Sequence, residues 1–268
     1  MQTPMRASSL ALAAAGGLTL ALLWLQHARA ANSAVLVFAA IAGLLAAAAL
    51  ARGNAGRVLR HERDLMDALG QPLLAARPST PGALRALAGQ LREHWFVGQR
   101  LLPIVDLGDG EAGAALACEL ARALAESGEP VLLIDADLRS PGLHERFAVA
   151  QGRGLADALD GLDSRDFRLV RCAENLALLP AGTGRAHPLE LLGRPRLARV
   201  LGAAAGPFGA VLVRTSPVSR GPDFEIFAAL AGGALVLAAH GAGARQLAAV
   251  RGRLARCSAR LVATVVER

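Results

Sequence analysis

The sequence predicts an α/β fold, with helices on both faces of a doubly wound, mostly parallel sheet, preceded by an N-terminal transmembrane helical hairpin. From residue 101 onward, short apolar runs alternate with helical segments, a pattern typical of a buried parallel sheet. A Gly-rich turn follows the first run and two Asp residues follow the second. Near the N-terminus, two uncharged apolar runs approach the ~20 residues that a membrane-spanning helix needs.

The composition allows one medium domain and an anchor. The 268 residues include 29 basic and 22 acidic side chains, for a formal net charge of +7. Every basic residue is Arg, because the chain contains no Lys, and it contains no Tyr. These arginines form no concentrated stripe, so they are interpreted as general surface and juxtamembrane cations, and no nucleic-acid partner is predicted.

The three cysteines are predicted to be buried free thiols in a reducing compartment. Cys118, Cys172 and Cys257 are far apart, and each lies in an apolar or helical context. No second Cys or His stands at metal-ligand spacing from any of them, so no metal site is predicted.

Residues 1–52 are predicted to form the two-helix anchor. The apolar runs Ser9–Leu25 and Ala34–Ala51 are joined only by Gln26–Ser33, and several arginines follow the second run. The positive-inside rule places those arginines in the cytoplasm. An alternative treats the first run as a signal peptide cleaved near Ala28–Ala30. Both readings leave the globular part on the same side of the membrane.

Residues 53–99 are predicted to be a cytoplasmic linker with short helices. The polar, Pro-punctuated composition indicates a connector, with helices near Val58–Leu69 and Gly82–Trp95. Four apolar residues in the second helix follow an i, i+3, i+4 pattern and predict a core-facing stripe. They are Leu84, Leu87, Leu91 and Trp95.

Residues 100–268 are predicted to form the α/β domain. The strand candidates are Leu101–Asp106, Val131–Asp135, Leu176–Leu179, Ala210–Val213, Ala234–Ala238 and Leu261–Val266. The helix candidates are Ala112–Glu126, Leu189–Leu201, Phe224–Ala231 and Ala244–Cys257. Ligands of such sheets bind at the carboxyl ends of the strands.

The Gly-rich turn has the outline of a phosphate-binding loop without its functional side chains. Such a loop needs a Lys for the phosphate oxygens and a Ser or Thr hydroxyl for magnesium. Gly108 and Gly113 satisfy the glycine spacing, but Ala114 and Ala115 follow. If the loop is aligned on Gly110–Glu111 instead, Gly113 and Ala114 take the Lys and hydroxyl positions.

The surroundings of the turn are acidic. No basic residue lies between Arg100 and Arg122, while Asp106, Asp109 and Glu111 place three carboxylates beside the expected phosphate position. Like charges a few ångströms apart repel each other by ~1 kcal/mol or more. The N-terminus of the following helix still offers N–H groups, so weak anion binding stays open.

Several segments in order resemble the cytoplasmic domain of the bacterial tyrosine autokinases, which accompany capsule and exopolysaccharide export. They are VLLIDADLRSPGLHERF, GRGLADALDG, NLALLPAGTGRAHPLELLGRPRLARVL and FGAVLVRTSPVSRGPDFEIFAAL. The likeness is collinear from about Leu101 to Glu267. It implies a P-loop or Rossmann-like fold.

The resemblance also implies specific roles. In that family a Walker A loop binds ATP, two Asp-bearing strands manage magnesium and the attacking hydroxyl, and a Tyr-rich tail is the substrate. Asp135, Asp137 and Arg139 match the first Asp-bearing motif. Arg214 falls where the resemblance implies the Walker B carboxylate, and the sequence ends at Arg268 without such a tail.

These matches and departures predict a vestigial nucleotide site. Its residues are Gly108, Gly110, Glu111, Gly113, Asp135, Asp137 and Arg139. No catalytic residue, metal or cofactor is predicted, and ATP with magnesium is disfavoured. The alternative for the aspartates is structural, in which they cap the next turn and pair with Arg139 or Arg214. A salt bridge from Arg214 would then occupy the implied magnesium position.

The predicted function is that of a membrane-anchored, catalytically degenerate, tyrosine-autokinase-like protein that regulates or scaffolds exopolysaccharide or capsule synthesis and export. Its expected location is the bacterial inner membrane, with the domain facing the cytoplasm. Expected partners are a polysaccharide co-polymerase or an autokinase homologue, and a homo-oligomer is possible. Two alternatives stay open: a divergent active P-loop ATPase or tyrosine kinase of the same pathway, and a relative of the partitioning-type ATPases.

Overall fold

The computed structural model describes residues 81–161, 163, 167–184, 186–238 and 244–266. The predicted anchor, residues 1–52, and the helix predicted at Val58–Leu69 lie outside the described residues. Within the described ranges, no helix combines the length and apolar character needed to cross a membrane.

The described residues form one seven-stranded sheet. Its strands are β1 (Leu101–Asp106), β2 (Val131–Asp135), β3 (Val170–Ala173), β4 (Leu176–Leu179), β5 (Ala210–Arg214), β6 (Gly233–Ala238) and β7 (Arg260–Val266). The strand order is β3-β4-β2-β5-β1-β6-β7. All neighbours are parallel except the edge pair β3 and β4. The prediction of a mostly parallel α/β sheet is therefore confirmed.

Helices cover both faces of this sheet. In chain order they are α1 (Pro81–His94), α2 (Glu111–Glu126), α3 (Leu143–Arg146), α4 (Leu155–Asp160), α5 (Pro188–Leu192), α6 (Arg196–Ala205), α7 (Asp223–Ala231) and α8 (Ala244–Arg256). Strands β2 and β5 are buried at every residue. Continuous apolar runs are what a strand covered on both faces requires, because neither side chain direction meets water.

Helix α1 packs its apolar stripe against the domain. Leu84, Leu87, Leu91 and Trp95 are all buried and belong to the same core cluster as α2. The Trp95 indole Nε1 donates a hydrogen bond of 3.2 Å to the carbonyl oxygen of Leu101, at the start of β1. The predicted core-facing stripe is confirmed.

The structure differs from the sequence prediction in several elements, among them the short helices α3 and α4, which were not predicted. The single helix predicted over Leu189–Leu201 is two helices, α5 and α6, separated at Gly193–Pro195. Proline has no N–H and its ring disfavours a helical residue before it, so the first helix ends there. Strand β3 was not predicted, because its four residues alternate between half-buried and exposed positions and include a charge.

The three thiols are free. Cys118 is buried on α2, whereas Cys172 and Cys257 are half-buried. Burial raises the pKa of the Cys118 thiol to about 11, against the opposing effect of nearby arginines.

Candidate functional site

The carboxyl ends of three neighbouring strands bring the candidate residues together. Strand β5 lies between β1 and β2, and its last residue, Arg214, is the register partner of Asp135 at the end of β2. Asp106 ends β1 on the other side of β5. The site is therefore at the sheet edge where parallel α/β proteins bind ligands.

Arg214 is held between two buried carboxylates. Its Nη1 donates to Asp135 Oδ1 and its Nη2 to Asp137 Oδ2, each at 3.1 Å. The side chain of Arg214 is 6% exposed, and those of Asp135 and Asp137 are 1% and 0% exposed. Nη1 also donates to the Ser140 carbonyl oxygen at 3.0 Å. The predicted pairing of Arg214 with both carboxylates is confirmed.

Asp135 also fastens the turn after β2. Its Oδ2 accepts hydrogen bonds of 3.0 Å from the N–H groups of Gly142 and Leu143, where α3 begins. Burial raises the pKa of the Asp135 carboxyl, while Arg214 and these two N–H groups pull it back down in part. The carboxylate thus satisfies local donors as well as the guanidinium group, which is the structural role the sequence left open.

Asp137 makes a second set of contacts within the site. Its Oδ1 accepts from the Ser216 hydroxyl at 2.8 Å and from the Ser140 N–H at 3.1 Å. Arg220 approaches its Oδ2 at 3.8 Å from a side chain that is 40% exposed. Asp137 therefore joins the turn after β2 to the loop after β5.

Arg139 takes a different partner from those expected. Its Nη2 donates to Asp223 Oδ1 at 2.9 Å, and the Asp223 side chain is fully buried. Among the described residues, neither Arg139 Nε nor Asp223 Oδ2 has a hydrogen-bond partner. This pair connects the turn after β2 to the start of α7.

The glycines of the turn surround a carboxylate. The N–H groups of Gly108, Gly110 and Gly113 all donate hydrogen bonds to the side-chain carboxylate of Asp106. Asp106 is 2% exposed. Gly110 caps α2 with a φ of 106°, a left-handed conformation that favours glycine. Glu111 lies apart from this cluster, because its exposed side chain pairs with Arg146.

The structure thus gathers most of the predicted residues at one edge and adds others. Asp106 had been interpreted only as a source of repulsion, and Ser216 and Asp223 had not been singled out. Their signal in the sequence is positional: Asp106 ends a predicted strand, Ser216 lies in the segment after the predicted strand Ala210–Val213, and Asp223 immediately precedes the predicted helix Phe224–Ala231.

The chain matches no protein-family model. It is similar to the putative tyrosine-protein kinase EpsB of Ralstonia solanacearum, with 34% identity over 61% of this chain and 22% of that protein. The succinoglycan biosynthesis transport protein ExoP of Rhizobium meliloti is 32% identical over 70% of this chain and 25% of its own length. The chain therefore spans about a quarter of the length of these relatives.

Solved structures share the fold. The kinase domain of the Escherichia coli tyrosine kinase ETK superposes with a TM-score of 0.64 at 26% identity, covering 73% of this chain and 79% of that one. The chimerical protein CapA2B2 superposes with a TM-score of 0.70 at 21% identity, covering 78% of this chain and 99% of that one. The described domain has the α/β fold of the P-loop kinases.

One expectation is overturned by these neighbours. Cobyrinic acid a,c-diamide synthase of Mycobacterium smegmatis, solved with an ATP analogue and magnesium, has a TM-score of 0.52 at 22% identity, covering 63% of this chain and 74% of that one. Together with the kinase domains, it points to a nucleotide and magnesium as the cofactor of this fold. The prediction that no cofactor is required is therefore wrong. That prediction relied on the missing Lys and hydroxyl side chains of the turn. It gave too little weight to the backbone amides, which bind phosphate in such folds.

Proposed function

We propose that this chain, whose homologues are bacterial tyrosine-protein kinases of exopolysaccharide systems, is a membrane-anchored and catalytically degenerate relative of them. Its role is to regulate or scaffold exopolysaccharide or capsule synthesis and export. It binds nucleotide through the Gly-rich turn without transferring phosphate to tyrosine at a useful rate.

The buried pairing of Arg214 with Asp135 and Asp137 carries this proposal. Phosphoryl transfer depends on positioning and on neutralising the charge of the phosphates, chiefly by metal ions and Lys. Here a fixed guanidinium group already neutralises the two carboxylates. A metal ion would have to compete with that group for the same oxygens, which weakens catalysis more than nucleotide binding.

The turn supports the same conclusion. Gly113 stands at the Lys position in one alignment, and a Cβ atom there would lie 2.9 Å from both the Cβ and Oδ2 atoms of Asp106. A longer side chain could not enter without moving Asp106. The catalytic Lys is thus missing and also sterically disfavoured.

The turn supplies backbone amides of the kind that hold phosphate, although Asp106 occupies them in this structure. Gly108, Gly110 and Gly113 present three amides to an anionic oxygen group, and α2 begins at the same point. Carboxylate oxygens such as those of Asp135 and Asp137 are the ligand type magnesium prefers. When bound, magnesium neutralises the phosphates. Arg139, which follows Asp137 in the same turn, pairs with Asp223, and its buried Nε has no hydrogen-bond partner among the described residues.

The membrane and pathway parts of the proposal rest on sequence and homology. The two apolar runs in residues 1–52 and the arginines that follow them support an inner-membrane anchor with a cytoplasmic domain. ExoP is by name a succinoglycan biosynthesis transport protein. A co-polymerase, an autokinase homologue or a second copy of the chain is the proposed partner.

A genetic test separates scaffold from enzyme. The triple variant Asp135→Asn, Asp137→Asn, Arg214→Met replaces all three buried ions with uncharged groups of similar size, so that no buried charge is left without its partner. It removes the carboxylates that transfer would need. In a strain lacking the chain, we expect this variant to restore polysaccharide output as well as the unaltered chain does.

The contrary result would be a folded, membrane-located triple variant that fails to restore output. That outcome would count against a purely scaffolding role and favour the divergent active ATPase or kinase, because phosphoryl transfer needs the carboxylates. Immunoblotting and the thermal unfolding of the purified variant provide the control for abundance and folding.

A further inference from the structure

The three amides of the Gly-rich turn are hydrogen-bonded to a carboxylate from the preceding strand. Asp106 Oδ1 accepts from the Gly108 N–H at 2.7 Å, and Oδ2 accepts from Gly110 at 3.1 Å and Gly113 at 2.9 Å. Asp106 is 2% exposed. Both oxygens of one buried carboxylate thus accept hydrogen bonds from the turn.

The same amides are the groups by which such a turn binds phosphate. Consecutive N–H groups at a helix N-terminus attract an anion through their hydrogen bonds and the helix dipole. A carboxylate and a phosphate are both anionic acceptors of this kind. Because each amide has one hydrogen, Asp106 and a phosphate oxygen cannot both occupy Gly110 and Gly113 with full hydrogen bonds.

Asp106 packs so closely against Gly113 that no side chain fits at position 113. A Cβ atom on Gly113 would lie 2.9 Å from Asp106 Cβ and Oδ2, closer than real Cβ contacts come. Only glycine at this position lets the carboxylate reach the amides. The contact therefore depends on both residues: on the carboxylate of Asp106 and on the absence of a side chain at Gly113.

The guanidinium group of Arg214 lies close to the turn. Arg214 Nη2 lies 3.7 Å from the position that a Cβ atom on Gly110 would take. An oxygen group that replaced Asp106 at the Gly110 amide would lie close to this guanidinium group. The turn thus has a built-in anion and a nearby positive charge.

We propose that Asp106 is an internal competitor for nucleotide phosphate and sets the affinity of this domain for its nucleotide. This inference rests on the proposed function, in which the turn binds nucleotide. Asp106 must leave the amides of Gly110 and Gly113 before a phosphate group can bind them. The contact is an autoinhibitory one, and anything that moves the end of β1 would adjust nucleotide affinity.

Substitution of Asp106 measures this competition. We expect Asp106→Ala to bind ATP in magnesium buffer about tenfold or more tightly than the unaltered 268-residue chain, because a fixed like charge repels phosphate at this distance. Asp106→Asn keeps one acceptor oxygen and should fall between them. The measurement is isothermal titration calorimetry with ATP, repeated with pyrophosphate.

Asp109→Asn is the matched control. Asp109 lies in the same turn and carries the same charge, but it is exposed, and its bond is to the Glu111 N–H. Removing it should change ATP affinity by less than about threefold, because solvent screens exposed charges.

A second readout does not depend on affinity. In the unaltered chain, ATP should shift the amide nuclear magnetic resonances of Gly108, Gly110 and Gly113 together as phosphate replaces the carboxylate. This titration decides the matter if the Asp106 variants fail to fold. Equal or weaker ATP binding by folded Asp106 variants would overturn the competitor role while leaving the proposed function intact. ATP binding that leaves the three glycine resonances unmoved would overturn both the competitor role and nucleotide binding through the turn. If no variant binds ATP or pyrophosphate, both proposals are wrong about the turn.

Discussion

Arg214 joins two carboxylates that water barely reaches, so its removal should be costly. Arg214→Ala leaves Asp135 and Asp137 charged, buried and without their shared cation. Breaking such an arrangement by removing one partner typically costs about 3–5 kcal/mol of unfolding free energy. Urea unfolding of the variant and the unaltered chain measures this difference.

Arg220→Ala is the control for that substitution. Arg220 also approaches Asp137, but its side chain is 40% exposed and the gap is 3.8 Å. An exposed pair contributes about 0–1 kcal/mol, so we expect a small change. Equal losses for the two variants would show that Arg214 is not the principal cation of the site.

Asp157 gives a pH-dependent prediction. Burial alone would raise the pKa of its carboxyl, but hydrogen bonds from Gly154 N–H, Thr183 N–H and the Thr183 hydroxyl together lower it. The pKa of Asp157 is lower in the folded chain than its unfolded value of ~3.9, so the ionised carboxylate stabilises the fold at pH values above ~3.9. This stabilisation is lost as the pH falls through the folded-state pKa.

The variant Asp157→Asn should therefore be destabilised most at neutral pH, by about 1–2 kcal/mol. The deficit should shrink as urea unfolding is repeated toward about pH 3. Asp160→Asn is the comparison, since Asp160 is half-exposed and pairs with Arg194 at the surface. A deficit for Asp157→Asn that is constant with pH would contradict the stated hydrogen bonding.

At the scale of elements, close backbone approach fixes the start of α4. A Cβ atom on Gly154 would collide with the Pro180 carbonyl oxygen and lie 2.5 Å from the Gly182 nitrogen. We expect Gly154→Ala to cost about 2 kcal/mol or more, because the neighbours are backbone atoms and cannot rotate away. Thermal unfolding of the purified variant is the measurement.

The same substitution elsewhere should act in the opposite direction. Gly202 lies on the exposed side of α6, and a Cβ there meets no atom within 4 Å. Gly202→Ala should stabilise the domain by roughly 0.5–1 kcal/mol through helix propensity. A loss of stability at Gly202, or none at Gly154, would contradict the packing described for these elements.

Predictability from sequence also differs between elements. Strands β1, β2 and β4 have the bounds predicted for them, because nearly complete burial requires the apolar runs from which they were predicted. Strand β3 escaped prediction because its half-exposed residues carry little periodic signal. The split between α5 and α6 follows from Pro195, whose effect was overlooked beside the apolar spacing.

The site was predictable in its location more than in its bonding. Parallel strands bring their ends to one edge, so the proximity of Asp135 and Arg214 followed from strand assignment. Asp106 did not follow, because a carboxylate beside a Gly-rich turn can repel a phosphate or accept the amides itself. Only the side-chain conformation distinguishes these outcomes, and spacing in a sequence does not contain it.

At the scale of the whole molecule, the fold does not by itself determine the function. The described domain shares the α/β architecture of the ETK tyrosine kinase domain, yet the ends of its strands hold an arginine between the two aspartates and a carboxylate within the glycine turn. A shared fold fixes where ligands bind, whereas the chemistry depends on these individual side chains. In the proposed function, the kinase fold persists here as a nucleotide-responsive component of a membrane assembly.

The most direct test is phosphoryl transfer by the purified 268-residue chain. The chain is incubated with radiolabelled ATP, magnesium and a tyrosine-rich peptide, with an active tyrosine-protein kinase domain as the positive control. We expect no tyrosine phosphorylation above that of a reaction without protein, because Arg214 occupies the carboxylates and the turn has no Lys. Sustained phosphorylation that disappears in the Asp135→Asn variant would contradict the account.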